Sequence, residues 1–268
     1  MPQQIIGLGE WFATPPGQYL LAWEQAQFDL SVVDLFGFNA LQLGLPELVT
    51  LQSNRMPHRW LSLPEEFGAD TPPASVPVPG SGYQNRVHLV TDAASLPFPA
   101  ASLDLVVLPH TLELSADPHQ VLREVERVLV PDGRVVIAAL NPVSLWGWRQ
   151  GRSRMAQRVG LHALGASQPF LPEVGQFIGP WRLRDWLRLL SFEVESDRYG
   201  VYRPAVRTDQ WLQRLAWMDR FGARWWPVLG AVYFVVAVKR VRGMRLLGPA
   251  WRPRKAARGA SVPVAQRH

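Results

Sequence analysis

Four polar residues stand directly after two strongly apolar runs. His110, Thr111 and Glu113 follow the stretch 103–108, and Asn141 follows 134–140. A histidine at the end of a buried strand serves as a proton acceptor or an orienting group for a second molecule, or it caps the turn that follows. Glu113 reads as a second proton-handling group or a solvated turn residue. Asn141, before Pro142, lines a pocket or shapes the exit from its strand. Asp92 follows another apolar run, 87–90, and is a hydrogen-bond acceptor for a ligand or a turn former. Two further carboxylates have structural readings. Asp104 begins a strand and ties down the turn before it, and Asp117, before Pro118, is a helix N-cap. The chain has no cysteine, which removes disulfides, thiolate nucleophiles and Cys-based metal sites. No His/Asp/Glu cluster has metal-ligand spacing. Gly7-Leu8-Gly9 precedes a helix without a strand before it, so it is no nucleotide fingerprint.

The elements that must position these groups alternate. Residues 17–36 read as a helix on the spacing of Leu20, Leu21, Glu24, Phe28, Asp29 and Val32, with Gly37 as its stop. Residues 39–43 and 59–63 read as short strands, and 71–82, rich in Pro and Gly, as a surface loop. From position 86 a strand (87–90), a turn around 96–99 and a doubly buried strand (103–108) follow one another. A helix then carries Val121, Leu122, Val125, Val128 and Leu129 on one face. Pro131-Asp132-Gly133 ends it, and 134–140 is another strand. Strand, helix, strand with tight connections is a βαβ unit and implies a parallel sheet. A helix over 181–190, a strand from 192 to 195, a helix or helical pair over 210–226 and a strand from 231 to 238 complete a doubly wound α/β pattern. In 210–226, arginines alternate with Trp211, Leu215, Trp217 and Phe221. That stripe reads as a lid, a membrane-surface helix or, most plainly, core packing.

Composition bounds the rest. With 268 residues, 47% hydrophobic and 19% charged, the chain can bury a core, and disorder along most of it is excluded. The longest near-apolar stretch, 225–238, is short of the ~20 residues of a membrane span and contains Pro227 and Gly230. Met1 is followed by Pro-Gln-Gln rather than a basic and apolar leader, so the expected location is cytoplasmic. The net charge of +6 is uneven. Residues 239–268 hold nine Lys or Arg and no acid, leaving 19 basic against 22 acidic residues in 1–238, a body at −3. The tail reads as a disordered, solvated terminus, or as a contact for nucleic acid or anionic lipid.

The run Asp92-Ala-Ala-Ser-Leu-Pro-Phe-Pro-Ala-Ala-Ser-Leu-Asp104, the strand up to His110, and Leu122-Arg-Glu-Val-Glu-Arg-Val-Leu-Val-Pro-Asp-Gly-Arg-Val-Val-Ile137 together resemble the second half of a class I S-adenosylmethionine-dependent methyltransferase of the type 11 kind. Leu103 stands where that family usually has Phe, and Asp132 where it has Gly. His110-Thr111-Leu112 and Asn141-Pro142-Val143-Ser144 are similar to a bacterial group of methyltransferases with these motifs after the fourth and fifth strands. The resemblance implies a doubly wound, mostly parallel, seven-stranded Rossmann-like sheet. It also implies S-adenosylmethionine as cofactor, lying across the carboxyl ends of the first strands. Carried over residue by residue, it implies cofactor contacts at Gln42, Gly44, Asp92 and Ala93, and acceptor-side or catalytic roles for His110 and Asn141. Thr111 and Glu113 stand at the same strand ends.

The first half departs from the family. Gln42 replaces its acid, Pro46 its second glycine and Leu48 its third. No acid closes 59–63, although Glu65 and Glu66 follow. Pro46 lacks an N–H, Leu48 adds bulk, and Gln42 lacks the charge that strengthens a contact to an ammonium. The expectation is weak cofactor binding through a rearranged loop, or none if Pro46 or Leu48 fills the crevice. The domain organisation implied is an N-terminal helical segment (1–36), a methyltransferase-like domain (37–240) with a helical insert near 200–228, and a basic tail (241–268). The leading function is methyl transfer to an unidentified acceptor. The alternative is a catalytically silent protein of the same fold that binds or scaffolds.

Overall fold

The structure, a computed structural model, describes residues 9, 11–64, 75–77, 84–86, 89–158, 170–171 and 175–241. Glu65, Glu66, Gly7, Leu8 and the basic segment from Arg242 onward lie outside the described residues. In chain order the elements are α1 (Pro15–Val32), β1 (Asn39–Leu43), β2 (His58–Leu63), β3 (Ser75–Pro77), β4 (Gln84–Arg86), β5 (Leu89–Val90), β6 (Leu103–Pro109), α2 (Thr111–Leu114), α3 (Pro118–Val128), β7 (Leu129–Leu140), α4 (Leu145–Arg158), α5 (Pro180–Leu189), β8 (Phe192–Gly200), α6 (Asp209–Arg214), α7 (Trp217–Trp225), a 3₁₀ turn (Pro227–Leu229) and β9 (Val232–Lys239).

Seven strands form one sheet in the order β5-β2-β1-β6-β7-β9-β8. All neighbours are parallel except β9, which runs antiparallel to both β7 and β8. This is the doubly wound α/β sheet that the alternation of elements predicts. Part of the expected 71–82 loop is instead a two-stranded ribbon, with Ser75 opposite Arg86. Pro131-Asp132-Gly133 lies inside β7, where the register against β6 shifts and Asp132 takes a left-handed φ of 61°.

Alternate residues of the central strands feed two cores. Leu41, Val106, Leu108, Val135 and Ile137 face α3 and α5. Ala40, Leu105, Val107, Val136 and Ala138 face the other way, toward α1. Helix α3 starts where Asp117 accepts from the Gln120 N–H at 3.0 Å with Pro118 at the first helical position. Its buried face is Val121, Leu122, Val125 and Val128, each contributing about 1.5–3 kcal/mol on burial.

Helix α1 begins at Thr14, whose Oγ1 accepts from Gly17 N at 3.4 Å. It buries Leu20, Phe28 and Val32 in the first core, and Glu24 sits on the same stripe. Trp23 lies across the backbone of β8 at Gly200. A Cβ on Gly200 would come within 2.0 Å of the indole, so only glycine admits this contact.

The aromatic stripe corrects the core-packing expectation. Leu212 and Gly222 are buried, whereas Trp211, Trp217, Phe221, Trp225 and Trp226 are all exposed. Asp104 ties down the approach to β1 rather than the turn before itself. Its Oδ2 accepts from the backbone N–H groups of Phe38 and Asn39, both at 2.9 Å.

Candidate active site at the carboxyl ends of the strands

The chain leaves β6 at His110 in a left-handed turn (φ 54°), a conformation rarely adopted by residues with side chains. Its backbone N–H is held by Ala138 O at 2.8 Å. The ring makes no cap to α2 and is instead gripped by two carboxylates. Nε2 meets Glu24 Oε1 of α1 at 2.8 Å, and Nδ1 meets Glu113 Oε1 in a short contact. Glu113 also accepts from Leu140 N, at 3.1 Å to Oε2, and so fixes the end of β7. Thr111 donates its hydroxyl to Leu43 O at the end of β1. All three ionisable groups are buried, with Glu24 at 0% exposure.

Burial by itself pulls the His110 pKa down. The charges of Glu24 and Glu113, with the hydrogen bonds from each, outweigh it and raise the pKa from 6.5 to about 10. At neutral pH the ring is therefore an imidazolium between two carboxylates. It holds its proton, and spare acceptor capacity falls to Glu24, whose Oε2 is buried without a partner. Glu24 is the residue that sequence reasoning passed over. A carboxylate on the apolar stripe of Leu20, Leu21 and Phe28 was its signal, because a buried charge requires a partner.

The loop after β1 keeps Gly44 in a left-handed conformation (φ 78°). The nearest atom to a Cβ built there is Thr111 Oγ1 at 3.6 Å, ordinary contact distance, so the φ rather than crowding requires glycine. Beyond it, residues 44–57 contain turns and no helix. Leu45-Pro46-Glu47-Leu48 closes with Leu48 N to Leu45 O at 3.2 Å, followed by 3.1 Å and 3.3 Å turns from Gln52 to Val49 and from Asn54 to Leu51. Gln42 is buried beneath this loop. Its Nε2 donates to the carbonyls of Gly44, Leu45 and Leu48, and its Oε1 accepts from the N–H and hydroxyl of Thr50. The amide that replaces the family's acid is thus an internal brace. Leu45 and Leu48 contribute to the first core with Phe12, Leu20 and Leu51.

Four buried side-chain polar atoms among the described residues lack a hydrogen-bond partner: Glu24 Oε2, Glu47 Oε2, Ser62 Oγ and Ser153 Oγ. The first three belong to this end of the sheet. Ser62, near the end of β2, pairs in register with Leu43. Glu47 follows β1, and burial raises its pKa, partly opposed by its own backbone N–H. A buried carboxylate oxygen with no partner is a site that a cation would relieve.

The remaining sequence candidates are placed as follows. Asp92 is exposed, and its Oδ1 accepts from Ala94 N at 2.9 Å, while Ala93 is half-buried against the second core. Asn141 is buried. Its Nδ2 donates to Val228 O and Gly230 O at 2.7 and 2.9 Å, and its Oδ1 accepts from Val143 N. These bonds lash the end of β7 to the turn before β9. The structure therefore brings His110, Thr111 and Glu113 together with Glu24, and it leaves Asp92 and Asn141 apart from that cluster's hydrogen bonds.

Comparison with known proteins places this architecture. Residues 58–137 match the methyltransferase domain family. The chain is similar to an uncharacterized protein, YafS, of Escherichia coli (strain K12), 27% identical over 245 residues that span 90% of this chain and 84% of that one. A shorter match joins it to the demethylmenaquinone methyltransferase of Lactobacillus johnsonii, 38% identical over 74 residues, 26% of this chain and 30% of the enzyme. Among solved structures, a chain from the complex between the Haloferax volcanii Trm112 methyltransferase activator and a methyltransferase superposes with a TM-score of 0.54. It is 15% identical and covers 88% of this chain and 97% of its own.

Proposed function

We propose that this chain, whose residues 58–137 match the methyltransferase domain family, carries a methyl group from S-adenosylmethionine to an acceptor bound at Glu24 and His110 beneath α1. The domain match and the fold support S-adenosylmethionine-dependent methyl transfer in general, and the acceptor and the residues that serve it are our reading. When bound, the cofactor supplies a methyl group already activated on a sulfonium, so the protein's tasks are positioning, exclusion of water and, for some acceptors, removal of a proton.

The donor set fits the cofactor. The methionine end is cationic at its ammonium, and the unpartnered Glu47 carboxylate oxygen complements that charge in place of the family's acid at position 42. The Ser62 hydroxyl offers a partner to a ribose hydroxyl. Gly44 brings no side chain to the crevice, and Asp92 with Ala93 would hold the adenine. On the acceptor side, His110 orients Glu24 through its proton, and Glu24 Oε2 accepts from the acceptor. Asn141 acts at a distance, by shaping the pocket wall through residues 228–230. Helix α1 shares the first core, so we read segment 1–36 as the cover of domain 37–240.

The observation that carries this reading is the partnerless Glu24 oxygen beside a charged imidazole at 0% exposure. Calorimetric titration with S-adenosylmethionine and with its demethylated product tests it. Binding is expected, and Glu47→Gln is expected to weaken it about tenfold or more, the magnitude of a charge-assisted hydrogen bond. The silent, scaffold reading has one observation in its favour, the loop carbonyls turned inward to Gln42. No heat at millimolar ligand would establish that reading instead.

A further inference from the structure

Helix α7 is amphipathic in the inverted sense. The side facing the protein carries Asp219, which accepts from Tyr19, from Tyr202 N and from Arg203, together with Gly222, where an added Cβ would come within 2.4 Å of the Tyr202 ring. The opposite side carries Trp217, Phe221 and Trp225 at i, i+4 and i+8, with Arg220 and Arg224 between them. All five are exposed, Trp225 at 70%. The Trp217 and Phe221 rings touch edge to face at 5.5 Å. Neighbouring elements carry further exposed apolar side chains. Trp211 of α6 is exposed with the Arg214 guanidinium 5.4 Å from its ring, and Trp226 and Leu229 follow α7. None of Arg214, Arg220 and Arg224 forms an ion pair among the described residues. Ala223 also belongs to the wall of a groove of about 540 Å³, which Trp181, Tyr199 and Tyr202 share.

We infer that this face docks on the surface of an anionic lipid bilayer. The chemistry selects that occupant over others. An apolar crest of indole and phenyl rings flanked by unpaired guanidinium groups matches an interface where rings sit among headgroups and cations meet phosphates. A nucleic acid duplex would call for cations at the crest rather than rings. Five exposed aromatic rings within 211–226 are unusual without a function for them. The face lies on the side of α7 away from Tyr19 and Tyr202, so it is open whether or not the crevice is filled. The inference stands apart from the methyl-transfer reading.

The test is flotation of the full chain with vesicles of phosphatidylcholine alone and of phosphatidylcholine mixed with phosphatidylglycerol, followed by tryptophan emission. Recovery with the anionic vesicles and a blue shift are expected, weakening as salt is raised. The variant R214Q/R220Q/R224Q is expected to lose about 100-fold in partition at low salt, from three cations near a charged surface. W217S/F221S/W225S is expected to lose at least about tenfold and the blue shift with it. Both alter only exposed side chains, and a thermal melt matching the parent shows that they fold. A third variant, R252Q/R254Q/K255Q/R258Q, is expected to keep the blue shift. The inference is overturned if the chain stays with the solution, or if the two helix variants float like the parent. It is also overturned if only the third variant loses binding, or if duplex nucleic acid at equal charge concentration gives the blue shift and lipid does not.

Discussion

Two parallel crossovers stand side by side in the sheet. Between β6 and β7 the chain passes through α3, which stays in place because four aliphatic side chains leave water. Between β1 and β2 it passes through fourteen residues of turns, 44–57, braced by one buried amide beside the apolar anchors Leu45, Leu48 and Leu51. Gln42 takes three carbonyls and the two donors of Thr50, and it does the work for which a sheet usually employs a helix. The first crossover is specified by hydrophobic periodicity, whereas the second is specified by polar satisfaction. The ion cluster of Glu24, His110 and Glu113 extends the polar scheme to α1 and β7. Where burial is apolar the architecture tolerates local change, and where it is polar each group depends on the others.

That contrast can be broken most forcefully at His110. Replacing it with alanine leaves two buried carboxylates facing each other without a cation, and a loss of about 3–5 kcal/mol in denaturant unfolding is expected. Gln42→Leu keeps the volume but orphans three carbonyls and two donors. About 3 kcal/mol is expected, together with faster hydrogen exchange confined to residues 44–50. Leu122→Ala on α3 is expected to lose a similar ~3 kcal/mol through a cavity. Its loss is the same at every pH, which sets the two schemes apart.

The polar scheme carries a pH signature. His110 binds its proton more tightly folded, at about 10, than at its ordinary 6.5, so the native state holds more protons between those values. Its contribution is complete below pH 6.5 and fades as pH rises through 10, with a limiting slope of about 1.4 kcal/mol per unit. Melting temperatures across that window are expected to fall in the parent and to flatten in Glu24→Gln. A slope left unchanged by Glu24→Gln would show that the imidazole is not held as described. The smallest effect belongs to the cap that opens the apolar crossover's helix. Asp117→Ala removes the cap of α3, for about 1 kcal/mol in denaturant unfolding.

The same division explains what the sequence reveals. The unit from Asp92 to Leu140 is legible because its elements repeat apolar periods and its helix opens on a recognisable cap, Asp117 and Pro118, although Pro131-Asp132-Gly133 proves to lie within the strand instead of ending the helix. The strand pattern carries the doubly wound sheet with it. The candidate site is legible only in part. His110 stands out because it follows an apolar strand, but its partner Glu24 is 86 positions away, and no local pattern announces which histidine a buried carboxylate will meet. Gln42 is visible as a departure from a family pattern, yet its direction, inward to the loop rather than outward to a ligand, follows from carbonyls that the sequence does not display. The aromatic stripe over 210–226 misleads for a related reason. Its spacing is that of a buried face, and only Asp219 and Gly222, which the stripe omits, reveal the side that turns inward.

Gly200 gives the far edge of the sheet a mechanical hold on its centre. Trp23 rests on the bare backbone of that strand, and Glu24 is the next residue along the same helix. A single methyl group at position 200 would prise the indole upward, and the rod attached to it would draw the carboxylate off the imidazolium. A lesion at the rim would then surface as a proton lost from the middle.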